Sequence, residues 1–193
     1  MKYIIEHLDG KRLYKWCLLE YKHISKIVGK ENLIFTNIKS EKSMQMLSKY
    51  GKVEQKSVID LFKSQQPKKS CILDPNAEKM LSPADKGKFD FFIFGGILGN
   101  YPPQKRTKEQ LSDKLNCEKR LLGNMQMSTD TAVYVTKKIL DGTPFEKMQF
   151  QDELEIPMKD GLNMELPYRY ALENGKLVFS EELMQFMKKK KGI

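Results

Sequence analysis

Three glycines, Gly95, Gly96 and Gly99, follow an apolar run at residues 89–94 in which only Asp90 is polar. A short apolar run that ends in glycines is typical of a strand buried on both faces of a parallel sheet. Glycine has no Cβ, so these residues let the backbone approach a ligand closely or adopt a positive φ. The pattern predicts a loop that grips a ligand through backbone groups, with a plain turn as the alternative.

The residues after the glycines argue against a phosphate-binding loop. Such loops pass directly into a helix, whose N-terminal amides hold the anion. Here the sequence continues as Asn-Tyr-Pro-Pro at residues 100–103, and a residue before proline is biased away from helix. There is no Gly-Lys-Ser/Thr after the glycines either. We therefore expect a ligand that is not held by a pyrophosphate group.

Metal-ligating residue types are too few and too scattered for a recognisable metal site. His7 and His23 are the two histidines, and Cys17, Cys71 and Cys117 show no CxxC spacing. An odd, scattered set of cysteines is typical of reduced thiols in the cytosol, with packing or surface roles. We expect no metal, and a structural or exposed role for His23.

Composition indicates one soluble globular domain. The 193 residues are 40% hydrophobic and 31% charged, which is enough for a substantial core. No apolar run approaches the ~20 residues that a membrane helix needs, and the first ten residues are too short and too acidic for a secretory signal. We expect a cytoplasmic protein without a membrane partner.

The formal net charge of +9 suits an acidic partner, such as the ribosome or its RNA, contacted through a basic surface. The alternative is a lysine-rich solvated surface, because aromatic residues do not interleave the basic runs as they do in a base-stacking platform.

Hydrophobic periodicity predicts strands that alternate with helices, which implies a parallel α/β sheet. In the first strand, alternation places Tyr3, Ile5 and His7 on one face and Ile4 and Glu6 on the other. The predicted strands are 3–7, 32–38, 70–73, 89–94 and 120–122. The predicted helices are 14–28, 43–49, 106–115, a helix from Ser128 or Thr129 to Leu140, and a final helix capped at Ser180. Residues 58–62 are predicted to form a short amphipathic segment.

The segment LGNMQMSTDTA at residues 122–132 resembles the third signature of the SPOUT methyltransferases, LG-x-x-IL-R-x-ETA. Leu122, Gly123, Thr131 and Ala132 match, and Asp130 replaces the glutamate. The glycines upstream stand where that superfamily has its second signature, Gly-Pro-Glu-Gly-Gly. The resemblance implies a SPOUT-like parallel sheet with helices on both faces and a C-terminal trefoil knot.

A closer resemblance covers nearly the whole chain. The sequences MKYIIEH at 1–7, ILDPNA at 72–77, FDFFIFGGILGNYPPQKRTKE at 89–109, QMSTDTA at 126–132 and ELPYRYAL at 165–172 are similar to the fungal SPOUT protein arginine methyltransferases. Those enzymes act on a ribosomal small-subunit protein. We expect one SPOUT-like domain over residues 1–193, with residues 143–193 as an extension packed on it. Many SPOUT enzymes dimerise through the knot, but the extension could cover that surface, which favours a monomer over a homodimer.

The resemblance implies S-adenosyl-L-methionine as cofactor, bound by the segment after the third predicted strand, the glycine segment and the 122–131 segment. The implied residues are Leu73, Asp74, Pro75, Phe94, Gly95, Gly96, Ile97, Gly99, Asn100, Leu122, Gly123, Gln126, Met127, Thr129 and Thr131. A turn without a cofactor role is the alternative for Asp74.

Methylation of arginine needs a group that aligns the guanidinium and accepts its proton, because a guanidinium stays protonated in water. Carboxylates suit both tasks. Close to the matching segments the chain offers Glu6, Asp9, Asp130 and Glu165, of which Glu6 comes first because the superfamily's first signature ends the first strand. The alternatives are surface carboxylates, and for Glu165 an ion pair with Arg169 if that stretch is helical.

The departures from the superfamily favour a protein substrate over a ribose. Ser128 replaces the arginine that RNA ribose methylases carry in the third signature, and Ile97 and Leu98 stand in the glycine loop where those enzymes have a glutamate. The leading hypothesis is methylation of an arginine in a ribosomal protein. The others are a SPOUT RNA methyltransferase acting on rRNA or tRNA, and a non-catalytic ribosome-binding module.

Overall fold

A parallel sheet forms the centre of the fold in this computed structural model, which describes residues 1–65, 69–96, 107–159 and 161–189. Within these ranges the sheet has the strand order β3-β2-β1-β5-β4-β6, and every neighbouring pair is parallel. The strands are β1 (Lys2–His7), β2 (Leu33–Thr36), β3 (Lys52–Val53), β4 (Ser70–Leu73), β5 (Phe91–Gly96) and β6 (Glu118–Arg120). The predicted parallel α/β sheet is confirmed, and all its carboxyl ends meet at one edge.

Helices cover both faces of this sheet. They are α1 (Lys15–Val28), α2 (Glu41–Leu47), α3 (Val58–Gln65) and α4 (Thr129–Leu140), with a π-helical turn at Lys108–Ser112. Tyr3 and Ile5 pack in one buried cluster with residues of α1 and α4, whereas Ile4 packs in a second cluster with Val58 and Leu111. The two clusters confirm the predicted alternation along β1.

Strand β5 reaches two residues further than the sequence indicates. It pairs with β1 from Lys2 opposite Phe91 to His7 opposite Gly96, so Gly95 and Gly96 are strand residues and do not begin a loop. The predicted helix at 106–115 is a π-helical turn over its described part, and the predicted strand at 120–122 begins earlier, at Glu118. The two-residue strand β3 was not predicted because it is too short to show a period.

The C-terminal part of the chain forms a second layer. Strands β7 (Gln149–Pro157), β8 (Asn163–Glu173) and β9 (Lys176–Leu177) make an antiparallel sheet, followed by α5 (Glu181–Lys188). As expected, Ser180 caps α5: its hydroxyl accepts a hydrogen bond from the Leu183 N–H at 3.2 Å. The ELPYRY stretch, residues 165–170, lies within β8 and is therefore strand, not helix.

Helix α1 lies between the two layers. Its residues Tyr21 and Ile24 belong to the cluster on the sheet, whereas Leu19 belongs to a third buried cluster that contains Leu166 of β8 and Leu183 of α5. None of the helices in the described part of the chain has the length and apolar content required to span a bilayer. Because α1 is covered on two sides, a polar side chain on its flank becomes buried.

Candidate active site

The glycine end of β5 is tightly packed. The Leu8 N–H donates to the Gly96 carbonyl at 3.0 Å, which continues the pairing beyond the end of β1. A Cβ on Gly96 would lie 2.7 Å from Cγ2 of Ile5 and would also collide with the Tyr21 hydroxyl. Glycine is required here by packing within the fold. The predicted ligand residues Ile97, Gly99 and Asn100 lie outside the described residues.

A tight turn follows β4 at Asp74. The Asp74 N–H donates to the Arg120 carbonyl at 2.9 Å, and its carboxylate accepts from the backbone and side-chain amides of Asn76 at 2.8 and 3.1 Å. Burial alone would raise the pKa of Asp74, but the Ser112 hydroxyl and, after it, the amides of Asn76 outweigh it and hold the pKa below its usual range. Leu73 is buried beside it, and Pro75 is exposed in the turn.

The 122–131 segment runs from β6 to α4 between the sheet and the C-terminal layer. Gly123 has a φ of 85°, and a Cβ there would lie 2.8 Å from the Phe145 ring. The Gln126 carbonyl accepts from the Arg169 N–H at 2.8 Å, and Met127 pairs with Arg169. The segment is thus fastened to β8.

Helix α4 begins against the glycine end of β5. The Thr129 hydroxyl donates to the Gly95 carbonyl at 3.4 Å, and Thr131 and Leu122 are buried. Strand β4 lies between β5 and β6 in the sheet, so the ends of these strands are neighbours. The structure therefore brings the described parts of the three predicted cofactor segments to one edge of the sheet, with Phe94 buried beneath them.

One side-chain atom in this segment is an unused acceptor. Oε1 of Gln126 is buried and accepts no hydrogen bond from the residues that the structure describes. A buried carboxamide oxygen without a donor costs free energy, so such an atom is suited to a ligand that brings an N–H group.

Asp130 stands at the centre of a buried polar cluster. Its Oδ2 lies 2.8 Å from Nδ1 of His23, and its Oδ1 accepts from the Ser128 hydroxyl at 2.7 Å and from the Thr131 N–H at 2.9 Å. The carboxyl group is almost completely buried, with 2% of its side chain exposed. Because two of these donors come from the first turn of α4, the helix itself orients the carboxylate.

Glu20 of α1 is a second buried carboxyl in this cluster, and the sequence did not indicate it. Its Oε1 accepts from the Asp130 N–H at 3.3 Å, and the residue is 4% exposed. Burial, and after it the charge of Asp130, raise the pKa of Glu20 well above its usual range. Glu20 therefore keeps its proton at pH values at which an exposed glutamate has lost it.

Tyrosines of β8 complete the wall around this pair. Burial, and after it the charge of Glu20, raise the pKa of Tyr168, and Tyr170 is fully buried against Phe179. Strand β8 therefore places two aromatic rings beside Glu20 and Asp130. Tyr170 is packed into the core, whereas Tyr168 is partly exposed to solvent.

Glu6 lies on the opposite face of the sheet from Asp130. It is 1% exposed and accepts from the hydroxyls of Thr36 and Ser57 and from the Val58 N–H at 2.9 Å. It thereby connects β1 to β2 and to the start of α3. Its catalytic role stays a prediction.

Glu165 is exposed on β8 opposite Glu155, and Arg169 pairs with Asp152 at 2.6 Å. The alternative of a helical ion pair between Glu165 and Arg169 is therefore wrong. The three predicted catalytic carboxylates do not converge on one point. Asp130 lies within the 122–131 segment, whereas Glu6 pairs with Gly95 of β5 but faces the other side of the sheet. Within the described ranges, no group of three or more His, Cys, Asp and Glu side chains is placed to bind a metal ion.

Comparison with known sequences gives a match over nearly the whole chain. Residues 2–192 match the family described as protein arginine N-methyltransferase SFM1-like. The protein arginine N-methyltransferase SFM1 of Saccharomyces cerevisiae is 39% identical, and the match covers 98% of this chain and 95% of that protein.

Solved structures give the same result. The crystal structure of the yeast arginine methyltransferase SFM1 complexed with SAH has a TM-score of 0.86 and 37% identity, covering 97% of this chain and 94% of that chain. The complex with SAM has the same TM-score and identity and covers 97% and 89%. A Trm10 structure from Thermococcus kodakaraensis has a TM-score of 0.56 at 17% identity, covering 76% and 96%, and is similar in fold alone.

Proposed function

Because the chain belongs to the family of SFM1-like protein arginine N-methyltransferases, we propose that it is an S-adenosylmethionine-dependent enzyme that methylates an arginine side chain of a protein. The structural observation that carries the proposal is the buried pair of Glu20 and Asp130, next to the three segments expected to hold the cofactor. A paired carboxyl site suits a cationic side chain that must lose a proton.

The residues present fit the cofactor. The buried Oε1 of Gln126, which accepts no hydrogen bond from the described residues, is an acceptor for one of its amino groups. When bound, S-adenosylmethionine supplies the methyl group from its sulfonium. The chain's own contribution is to hold the substrate in line, which can provide on the order of 7–11 kcal/mol.

In this proposal Asp130 and Glu20 attract the guanidinium and take up its proton. A cation close to two carboxyl groups favours their ionised forms, so substrate binding prepares both as acceptors. Tyr168 lines the approach, and its ring can lie against a delocalised cation. Glu6 and Glu165 stay predicted substrate contacts, with the difference that Glu6 already accepts three hydrogen bonds within the fold.

We propose a ribosomal protein as substrate, in the cytoplasm, reached by a chain of net charge +9 that is drawn to the ribosome or its RNA. Ser128 supports a protein substrate over an RNA substrate, because it stands where RNA ribose methylases have an arginine. Its hydroxyl is hydrogen-bonded to the side chains of Asp130 and Thr131. We also propose that residues 123–131 pass through an earlier loop as a trefoil knot, a rare form of threading. The extension at 143–193 packs on α1 and α4, which favours a monomer.

The test is incubation of the protein with methyl-labelled S-adenosylmethionine and either ribosomal proteins or ribosomal and transfer RNA. We expect label in methylarginine after hydrolysis of the protein fraction. Label in RNA alone would replace the proposal by RNA methylation. Cofactor binding without transfer to either fraction would leave a ribosome-binding module.

A further inference from the structure

His23 contacts the carboxyl pair from helix α1. It lies one turn after Glu20, and its Nδ1 is 2.8 Å from Oδ2 of Asp130, a residue 107 positions away in the sequence. Its side chain is 15% exposed, against 2% for Asp130. His23 is therefore the more accessible end of a chain of contacts that runs inward from His23 through Asp130 to Glu20.

The contacts of Asp130 show how its carboxyl group is held. Its Oδ1 accepts from the Ser128 hydroxyl and the Thr131 N–H at 2.7 and 2.9 Å, both at the start of α4. Its Oδ2 faces Nδ1 of His23, which reaches it from α1. The orientation of the carboxyl group therefore depends on a side chain of a second helix.

In the proposed function Asp130 takes up a proton, so it acts as a carboxylate, which can only accept hydrogen bonds. We propose that His23 is a positioning residue for methyl transfer: by donating a hydrogen bond from Nδ1 to Oδ2 it holds the Asp130 carboxylate in the orientation in which it receives the substrate's proton. The inference rests on the proposed function, in which Asp130 is the first acceptor of the substrate's proton.

The imidazole of His23 lines an open cleft of about 350 Å³ beside the β8–β9 hairpin. The titratable groups that face this region are Asp130 from α4, Glu20 from α1, Tyr168, Tyr170 and Glu173 from β8, and Lys176 from β9.

Two variants separate a positioning role from a packing role. His23→Asn retains an N–H donor near the position of Nδ1 but cannot become charged, and His23→Leu removes both properties. The initial rate of arginine methylation is measured from pH 5.5 to 9, with the melting temperature and the dissociation constant for S-adenosylmethionine at each pH. Lys176→Gln, in the same cleft without a contact to Asp130, is the control.

We expect His23→Leu to lower the turnover about 10- to 100-fold, the range expected for loss of one hydrogen bond to a charged group. We expect His23→Asn to stay within about threefold of the unmodified enzyme at pH 8, because its side-chain amide can still donate to Oδ2 of Asp130. A loss of more than tenfold in His23→Asn at an unchanged melting temperature overturns the inference, even if His23→Leu does not fold. Full activity of a folded His23→Leu overturns it as well.

Imidazole ¹⁵N spectra give a readout that does not depend on activity. The chain has two histidines, so the His23 signals are those absent from the His23→Asn spectrum. We expect a protonated Nδ1 on His23 at pH 8, and an unprotonated Nδ1 overturns the inference. A protein that methylates no arginine refutes the proposed function instead, and the ¹⁵N result stands apart from that failure.

Discussion

The backbone N–H of Asp130 points at Oε1 of Glu20, 3.3 Å away, so helix α4 begins directly against a buried carboxyl group of α1. The start of α4 also contacts Gly95 of β5, and α1 packs against the C-terminal layer. The contact between Asp130 and Glu20 therefore links the glycine end of β5 to the helix beneath that layer. The buried carboxyl pair is therefore assembled by tertiary structure, from two helices that are distant in sequence.

Replacing Asp130 by asparagine should lower methyl transfer about 10²- to 10⁴-fold, because the neutral amide cannot take up a proton. The dissociation constant of S-adenosylmethionine, measured by calorimetry, should change little. Asp141→Asn is the matched control, since Asp141 lies at the other end of the same helix in an exposed pair with Lys137. Equal activity of the two variants would remove Asp130 from the mechanism.

Replacing Glu20 by glutamine should affect stability in a pH-dependent way. The pKa of Glu20 in the folded chain lies above its ordinary value of 4.5, so the folded state binds more protons than the unfolded state as pH rises from about 4.5 to the folded pKa. Stability of the unmodified protein falls across that window, at up to about 1.4 kcal/mol per pH unit, and the neutral glutamine does not share the loss. Urea unfolding at pH 5 and pH 8 should therefore show a relative gain for Glu20→Gln at the higher pH. A difference independent of pH would contradict the raised pKa.

Replacing Glu6 by glutamine should destabilise the fold by about 1–3 kcal/mol, because an amide nitrogen then faces one of three buried donors. Ser57→Ala, which removes one of those donors, is the companion variant. Methyl transfer per folded molecule decides the predicted catalytic role: a loss beyond a hundredfold in Glu6→Gln, with none in Ser57→Ala, would retain it. Parallel loss of stability with full specific activity would leave Glu6 as a link between strands.

Replacing Gln126 by leucine should weaken cofactor binding about 2- to 10-fold, the range of one neutral hydrogen bond. Asn124→Ala, an exposed change in the same segment, should bind as the unmodified protein does. Calorimetry with S-adenosylmethionine measures both. An unchanged affinity in Gln126→Leu would show that its buried Oε1 is not used by the cofactor. Gly96→Val is a poorer probe, because the clash with Ile5 and Tyr21 would disturb the fold itself.

Local patterns in the sequence were sufficient for the parallel sheet and for most helix positions, because alternation and helical spacing are properties of neighbouring residues. The end of β5 was misplaced because glycine is a turn signal by itself, whereas here Gly95 and Gly96 continue the pairing with β1. The length of β5 is determined by its pairing with β1, which a local sequence pattern does not contain.

The candidate site was predicted in part. Asp130 was predicted from its place in the 122–132 motif, whereas Glu20 and His23 lie on the flank of α1, at the border of the face that a single amphipathic pattern treats as buried. The sequence does contain a signal for a second buried side of α1: the apolar residues Trp16 and Leu19, which pack against the C-terminal layer. Glu6 was predicted as a catalytic residue, but its hydrogen-bond partners were not. Ser57 and Val58 lie at the start of a helix that is distant in sequence, and no local pattern indicates that they contact Glu6.

Because α1 lies between two layers, the access of water to Glu20 depends on motions of those layers. Leu166 and Leu183 of the C-terminal layer pack on the outside of α1, so a transient separation of that layer would admit water to Glu20 and let it ionise. Ionisation would then hold the separated form open. Amide hydrogen exchange in β8 and α5 should therefore speed up with rising pH by more than the intrinsic chemistry of exchange explains, while exchange in β1 and β5 should not.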